Sequence, residues 1–310
     1  MSNPGIGIAL GSGAARGWAH IGVLRALEER GIRPGVVCGA SIGSLVAAAC
    51  ASGQLDTLED WVRGLSRMDV VRLLDTGFRG GFMTGTRVMT AVGTQLEDKD
   101  IETLPVRFGA VATDLQTGRE VWLRSGPMLS AVRASSGLPG LFSPIQHGGR
   151  WLIDGGVVNP VPVSMCHALG ADVVIAVNLN ADLVRRRSQR PPPKPAKKKE
   201  EKQQDEASVF GRFAGAVSDL FKGDSDPSAE EPGIFDVVGA SINIMQERIT
   251  RSRMAGEPPE LTISPKVGDF QLMDFHRADE AIEAGRQAVE AVEDQLERMG
   301  PGAQHPPNPG

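Results

Sequence analysis

Residues 36–50 read VVCGASIGSLVAAAC, and this stretch decides the fold. The apolar run Val36–Cys38 predicts a buried strand, and the apolar run after the second glycine predicts a buried helix. Ser41 therefore lies on a strand-to-helix turn. Gly39 and Gly43 permit a sharp turn, and the helix start supplies unpaired N–H groups and positive potential. Such a turn suits a nucleophilic serine, although a serine that only caps the helix fits the same pattern.

A second strand-turn-helix unit precedes the serine turn. Ile6–Leu10 predicts a strand, Gly11–Gly17 is a loop of glycines and small residues, and residues 18–30 have the apolar spacing of a helix. Backbone N–H groups in such a loop can converge on an anion, either a nucleotide phosphate or the oxyanion of an acyl-transfer intermediate. A dinucleotide site requires an acidic residue at the tip of the second strand. Because that tip is Gly39-Ala40-Ser41, the nucleotide interpretation is disfavoured.

A third stretch supplies an aspartate at the end of a predicted strand, in Trp151-Leu152-Ile153-Asp154-Gly155-Gly156. The two glycines leave no side chains in the way, so the carboxylate can approach another loop closely. Asp-Gly is also a common turn dipeptide, and only its combination with the other two motifs favours catalysis. A second aspartate, Asp114, joins two strand-like runs at 106–112 and 119–123 that predict a hairpin. It is either a candidate base or a residue that bonds its own turn.

The remaining apolar runs alternate between lengths typical of strands and of helices. They are helical at 128–134, 162–169, 235–253 and 279–299, and strand-like at 173–177 and 261–263. In the third of these helices, Val238, Ile242 and Met245 share one face. The alternation predicts an α/β fold with a mostly parallel sheet that is covered on both faces.

A helical region at 57–92 lies between core elements of the predicted sheet. It predicts either a lid beside the site or ordinary packing helices. Within it, Phe78-Arg79-Gly80-Gly81-Phe82 predicts a flexible connection between two helical parts.

Taken together, the glycine-rich loop, the serine turn and the aspartate stretch resemble the three motifs of the patatin-like phospholipases, in the family's order. They are similar to the bacterial branch of that family and to the catalytic domain of neuropathy target esterase. Two further stretches, 112–118 and 135–144, match as well. The resemblance covers residues 5–180 and resumes at 236–298. One departure is visible, because the loop carries Ser12 and Ala14 where many patatins have glycine.

This resemblance implies a patatin-like three-layer α/β/α fold and a serine lipid acyl hydrolase with a Ser-Asp dyad. Ser41 would attack the ester carbonyl, and Asp154 would take its proton and then activate water. N–H groups of Gly13, Ala14 and Ile42 would hold the oxyanion, and no metal or other cofactor is implied. The full set of implied site residues is Gly11, Gly13, Ala14, Arg16, Gly17, Gly39, Ser41, Ile42, Gly43, Asp154, Gly155 and Gly156.

Several alternatives remain open at this point. Arg16 either neutralises a lipid phosphate or braces the loop through an ion pair. An α/β-hydrolase triad of Ser41, Asp154 and His276 has the required order, but only two strands precede the serine, whereas that fold usually has several. The same dyad would also serve an acyltransferase or thioesterase, and the fold without activity would serve a lipid-binding scaffold.

Composition narrows the class of partner and the compartment. The net charge of -5 argues against a general nucleic-acid binder, for which a basic domain is expected. The cysteines, Cys38, Cys50 and Cys166, fall in apolar patterns and predict reduced thiols in a cytoplasmic protein. The sequence has no signal-like start and no apolar run long enough to span a membrane. We therefore expect a cytoplasmic protein. The family resemblance implies phospholipid or lysophospholipid substrates, which lie in a membrane, so the protein is either peripheral at the inner face of the membrane or without a membrane contact of its own.

One catalytic domain is expected over residues 1–300, interrupted by a disordered basic insertion at 183–232 and followed by a disordered tail at 301–310. Residues 185–202 contain nine basic residues and four prolines. Residues 207–222 follow with the apolar spacing of a short amphipathic helix. The segment 185–222 is therefore either a membrane-surface anchor or a solvated linker whose helix packs elsewhere.

Overall fold

The structure is a computed structural model that describes residues 5–73, 78–79, 82–139, 141–182 and 234–299. The predicted insertion at 183–232, with its helix at 207–222, and the predicted tail at 301–310 lie outside the described residues.

Ten strands are described, and they are numbered in chain order. They are β1 (Ile6–Leu10), β2 (Val36–Ala40), β3 (Phe78–Arg79), β4 (Phe82–Met83), β5 (Arg107–Asp114), β6 (Glu120–Leu123), β7 (Ile145–His147), β8 (Arg150–Asp154), β9 (Val173–Val177) and β10 (Leu261–Ile263). The helices are α1 (Ala19–Glu29), α2 (Ile42–Ala51), α3 (Leu55–Arg63), α4 (Arg67–Leu73), α5 (Thr86–Gln95), α6 (Met128–Ser135), α7 (Val163–Ala168), α8 (Ile234–Gly256), α9 (Ala278–Glu290) and α10 (Glu293–Met299). Short 3₁₀ helices cover Ala14–Trp18, Ile101–Thr103 and Gly155–Val157.

The central sheet is mostly parallel, as predicted. Its parallel part has the strand order β10-β9-β1-β2-β5, and β8 and β7 extend it in antiparallel pairing. The predicted hairpin is also present, because β6 pairs antiparallel with β5. Parallel strands that are covered on both faces read as continuous apolar runs, which is the pattern of β1, β2 and β9.

Two apolar cores lie on the two faces of this sheet. Successive side chains of a strand point to opposite faces, so Ile8 joins the larger core while Ala9 joins the smaller one. The larger core is formed with α1, α2, α6 and α9, and the smaller one with α7. The three-layer α/β/α prediction is therefore confirmed.

Helix α1, which begins just after the glycine-rich loop, is held by unusually close packing against α9. A Cβ atom at Gly22 would lie 1.8 Å from the carbonyl oxygen of Ile282, and one at Gly285 would lie 2.0 Å from that of Ala19. Only glycine permits this approach of the two backbones. The C-terminal part of the chain therefore fixes the helix that follows the loop.

Some elements differ from the sequence prediction. The closing helix predicted at 279–299 is two helices, α9 and α10. The predicted flexible connection at 78–82 contains the antiparallel pair β3 and β4. In α8, Val238 and Met245 are 40% and 54% exposed, so the apolar face seen in the sequence is the outer face. No helix in the described ranges has the length and apolar character needed to cross a bilayer.

Candidate active site

Ser41 and Asp154 stand at the ends of two strands that meet head to head along one edge of β5. Ala40, the last residue of β2, pairs with Val111, and Asp154, the last residue of β8, pairs with Ala112. Strand β6 occupies the other edge of β5. Because β2 runs parallel to β5 and β8 runs antiparallel to it, the carboxyl ends of β2 and β8 face each other. This register brings together two side chains that are 113 residues apart in the chain.

The two side chains are joined by a short hydrogen bond. Oγ of Ser41 donates to Oδ2 of Asp154 at 2.5 Å, and the N–H of Gly156 donates to the other carboxylate oxygen at 2.7 Å. Asp154 is fully buried. Burial raises the pKa of Asp154 from 3.8 to about 6, against the opposing effect of the hydrogen bonds from Ser41 and Gly156. The carboxylate is thus a stronger base than an exposed aspartate, yet it is ionised at neutral pH.

The backbone of Ser41 is in a conformation that non-glycine residues rarely adopt, with φ 56° and ψ -128°. Its N–H donates to Oγ of Ser135 at 2.9 Å, and that hydroxyl donates onward to the carbonyl oxygen of Val111 at 2.6 Å. Its carbonyl oxygen accepts from Oγ of Ser44 at 2.6 Å. The strained turn is therefore held from both sides by buried hydrogen bonds.

The glycines around the serine make room for other backbone atoms. A Cβ atom at Gly39 would lie 2.3 Å from the carbonyl oxygen of Gly43, and one at Gly43 would lie 2.3 Å from that of Leu10. The sequence prediction assigned the freedom of the turn to these glycines, whereas Ser41 itself carries the left-handed φ. On the aspartate side, a Cβ atom at Gly155 would lie 2.1 Å from the carbonyl oxygen of Val111.

The glycine-rich loop packs directly against the start of α2. A Cβ atom at Gly17 would lie 2.3 Å from side-chain carbons of Ile42. Within the loop, the N–H of Gly11 donates to Val177 and the N–H of Ser12 donates to Pro160, which tie the loop to its neighbours. Loop and serine turn therefore form one continuous surface.

Three N–H groups on this surface are available to an anion. In the part of the chain that the structure describes, the N–H groups of Gly13, Ala14 and Ile42 donate to no protein acceptor. Ala14 also has a positive φ, 49°, and Ile42 is the first residue of α2, where N–H groups have no partner within the helix. These are the donors that an oxyanion hole requires.

A cavity lined almost wholly by apolar side chains opens beside Ser41. Helices α3, α4 and α5, which lie in the predicted helical region, supply one wall of this cavity. The stretch 135–144, which matches the family in sequence, supplies Ser136, Leu138, Leu141 and Phe142. The other lining residues are Ala14, Trp18, Ile42, Leu45, Trp61, Leu65, Val70, Leu73, Val88, Met89, Val92, Val132, Leu272, Met273 and Phe275.

Comparison with known proteins assigns this arrangement to a family. The family model for patatin-like phospholipases matches residues 8–167, which include the loop, the serine turn and the aspartate stretch. The chain belongs to the patatin-like phospholipase family. An uncharacterized NTE family protein of Mycobacterium tuberculosis is 34% identical over 94% of this chain and 93% of its own length.

Two further comparisons concern a longer relative and a solved structure. Patatin-like phospholipase domain-containing protein 6 of Mus musculus is 33% identical over 57% of this chain, which covers 14% of that protein. The crystal structure of VipD from Legionella pneumophila has a TM-score of 0.54 at 14% identity, covering 95% of this chain and 67% of that chain. The VipD comparison supports the shared fold alone.

Other candidate residues of this patatin-like chain have different partners. Oδ1 of Asp114 accepts the N–H groups of Gln116 and Thr117, both at 3.0 Å, so it braces its own turn. Nε2 of His276 accepts a hydrogen bond from Nε of Arg67 at 3.1 Å. The hydrogen bond that Oγ of Ser41 donates is accepted by the carboxylate of Asp154.

Arg16 braces the glycine-rich loop of the patatin-like site from inside the protein. It is 2% exposed, its Nε donates to the carbonyl oxygen of Gly13 at 3.0 Å, and its Nη2 donates to Oδ1 of Asn243 at 2.8 Å. His20 is fully buried and holds the loop as well, through a hydrogen bond of 2.7 Å between its Nε2 and the carbonyl oxygen of Gly11. Burial lowers the pKa of His20 to about 4, so the ring is neutral and donates its Nε2–H.

Sequence reasoning missed several residues that position the site. Ser135 falls in the stretch 135–144, and its hydrogen bonds to Ser41 and Val111 carry no local sequence signal. Asn243 and Gln246 belong to a helix predicted from its apolar residues, whereas its polar residues contact the site. Asn243, Gln246 and Thr250 share one polar face of this helix, but the sequence carries no signal that this face is turned inward.

The buried carboxylate gives a pH dependence of stability with a definite sign. The pKa of Asp154 is about 6 in the folded chain and 3.8 ordinarily, so between these values the native state holds a proton that the unfolded chain has released. The stability that this group contributes is therefore complete below about pH 4 and is lost as the pH rises through about 6. We predict that the free energy of unfolding of Asp154→Asn, relative to that of wild type, rises as the pH increases from about 4 to about 6. Urea unfolding at a series of pH values measures this difference.

Ser41→Ala is the matched control for this prediction. It removes a hydrogen bond that lowers the pKa of Asp154, so the same pH-dependent loss of stability should persist and move to higher pH. A difference between Asp154→Asn and wild type that stays constant from about pH 4 to about pH 8 would contradict the assignment.

Proposed function

We propose that this chain is a serine lipid acyl hydrolase of the phospholipase or lysophospholipase type. The observation that carries the proposal is the 2.5 Å hydrogen bond from Ser41 to a buried carboxylate, beside three unpaired N–H groups and an apolar cavity. A nucleophile, a base, oxyanion donors and an acyl-chain site are the parts that ester hydrolysis needs. Family membership supports lipid substrates as a class.

The geometry supports the following sequence of steps. Oγ of Ser41 attacks the ester carbonyl, and its proton passes to Oδ2 of Asp154. The tetrahedral oxyanion accepts hydrogen bonds from the N–H groups of Gly13, Ala14 and Ile42. The protonated Asp154 then returns the proton to the leaving alcohol, and an acyl group remains on Ser41. Asp154 next takes a proton from water, whose oxygen attacks the acyl-enzyme. As the ester bond to Ser41 breaks and the fatty acid leaves, Asp154 returns that proton to Oγ of Ser41, which restores the free carboxylate and the serine.

The decisive test measures hydrolysis of p-nitrophenyl esters and of a lysophospholipid by the wild type, Ser41→Ala and Asp154→Asn. We expect both variants to lose kcat by about 10⁴-fold or more, because nucleophile and base act as one unit. Wild-type kcat should rise with pH through about 6, as the carboxylate of Asp154 becomes ionised. Full activity of Asp154→Asn would refute the dyad, and product analysis would distinguish release of free fatty acid from transfer to an alcohol or thiol.

Chain-length preference tests the cavity. We predict that Met89→Trp lowers kcat/KM for dodecanoyl esters while acetyl esters react as before, because the larger side chain fills part of the cavity. Each excluded methylene should cost about fourfold, since burying one contributes about 0.8 kcal/mol. Met68→Trp is the control. Met68 lies on α4, which also supplies the cavity wall, but it is 58% exposed and outside the cavity. Equal losses for short and long esters would contradict the assignment of the cavity.

We also propose that residues 1–300 form one catalytic domain, in the cytoplasm, which reaches the inner face of the membrane through 185–222. Support for one domain comes from β9, which pairs with β1 on one side and β10 on the other. Support for membrane contact comes from the nine basic residues in 185–202.

Deletion of 185–222 tests this contact. The deletion should abolish sedimentation of the protein with vesicles of anionic phospholipid, because it removes the basic and apolar residues together. Hydrolysis of a water-soluble ester serves as the control and should be retained. Unchanged sedimentation would show that the segment is a linker.

A further inference from the structure

Helix α8 lies over the site with its polar side inward, the reverse of an ordinary surface helix. Gln246, Glu247 and Thr250 are 4%, 3% and 2% exposed, whereas Ile244 and Met245 are 45% and 54% exposed. Burying polar side chains carries a cost unless they are hydrogen-bonded. The partners of Gln246 and Glu247 therefore explain why this face is turned inward.

The first partners are in the glycine-rich loop. Oδ1 of Asn243 accepts from Nη2 of Arg16 at 2.8 Å, and Nε of the same guanidinium donates to the carbonyl oxygen of Gly13. One turn further, Nε2 of Gln246 donates to Oγ of Ser12 at 3.2 Å. The helix thus holds the loop at two successive points, on either side of the proposed oxyanion donor Gly13.

The second partner is the aspartate turn. A Cβ atom at Gly156 would lie 2.4 Å from Nε2 of Gln246 and 2.9 Å from Oδ1 of Asp154. The amide of Gln246 therefore packs on the residue whose N–H holds the carboxylate, and the two side-chain atoms lie at most the sum of those distances apart, about 5 Å. Farther along α8, Nε of Arg253 donates to the carbonyl oxygen of Val158 at 2.8 Å.

Gln246 is itself fixed from behind. Its Oε1 accepts from Nδ2 of Asn180 at 3.2 Å, and Nδ2 of Asn178 donates to Oε2 of the neighbouring Glu247 at 3.0 Å. Both asparagines follow β9, so the central sheet sets the height of the helix above the site. The amide of Gln246 is consequently a rigid spacer between two loops.

We infer that Asn243 and Gln246 are positioning residues that set the separation of the oxyanion loop from the Ser-Asp dyad. Neither touches the reacting atoms, and both lie beyond the residues that the family model matches. The inference rests on the proposed function. A displacement of about 1 Å at a catalytic group costs on the order of a hundredfold in rate, so loss of either amide should lower kcat by about 10-fold to 100-fold with little change in KM.

Conservative variants separate positioning from general stability. Asn243→Asp keeps the acceptor for Arg16 and should retain activity that Asn243→Ala loses. Gln246→Glu keeps the shape but places a negative charge near Asp154, which should move the rise of kcat to higher pH, whereas Gln246→Ala should lower kcat without that movement. Arg248→Ala, on the exposed face of the same helix, is the control and should behave as wild type.

The experiment measures kcat, KM and the pH profile on a soluble p-nitrophenyl ester for these variants, with hydrogen exchange of residues 9–18 in each. The N–H groups of Gly11, Ser12 and Ala15 are hydrogen-bonded, so they should exchange faster in Asn243→Ala and Gln246→Ala than in wild type or Arg248→Ala. Raised KM with unchanged kcat, or wild-type kcat together with unchanged exchange, would overturn the inference. If wild type hydrolyses no ester, the proposed function fails, while exchange still decides whether α8 holds the loop.

Discussion

The meeting of β2 and β8 along one edge of β5 is the constraint on which the rest of the site depends. Because β2 ends opposite Val111 and β8 ends opposite Ala112, the residue after β2, Ser41, lies next to Asp154. Asp154 thereby loses all contact with solvent. Burying a carboxylate carries a large cost, which the donors at Ser41 and Gly156 partly offset.

This contact also requires that several backbones approach more closely than side chains would permit. A Cβ atom at Gly39, Gly43 or Gly155 would lie within 2.3 Å of a carbonyl oxygen. These glycines surround Ser41, which has a left-handed φ. The serine turn therefore cannot relax without separating strands of the sheet. Packing of this kind, together with the bonds of Ser135 and Ser44, keeps a strained conformation in place.

Sequence reasoning recovered the sheet because its strands are encoded locally, whereas the roles of Ser41 and Asp154 came from the family resemblance and stay a prediction. The apolar runs of strand length ended before Ser41 and at Asp154, but nothing in either run predicts that β2 and β8 meet along one edge of β5. The same reasoning predicted the existence of α8 but not its orientation. Apolar spacing identifies a helix, whereas the inward face of α8 is decided by the polar partners Arg16, Ser12 and Asn180, which lie far away in the chain. Likewise, nothing near Ser135 indicates that it bonds Ser41.

The separation of the site's parts along the chain has a consequence for its biosynthesis. A chain emerging from the ribosome completes the serine turn early, but β8 arrives only after 113 further residues and α8 later still. Contacts between such distant segments form late, since long loops must close first. In a partly synthesised chain the serine turn consequently lacks the carboxylate of Asp154, and the glycine-rich loop lacks the support of α8. The contact between Ser41 and Asp154 and the support of the loop by α8 are therefore among the last parts of the fold to form.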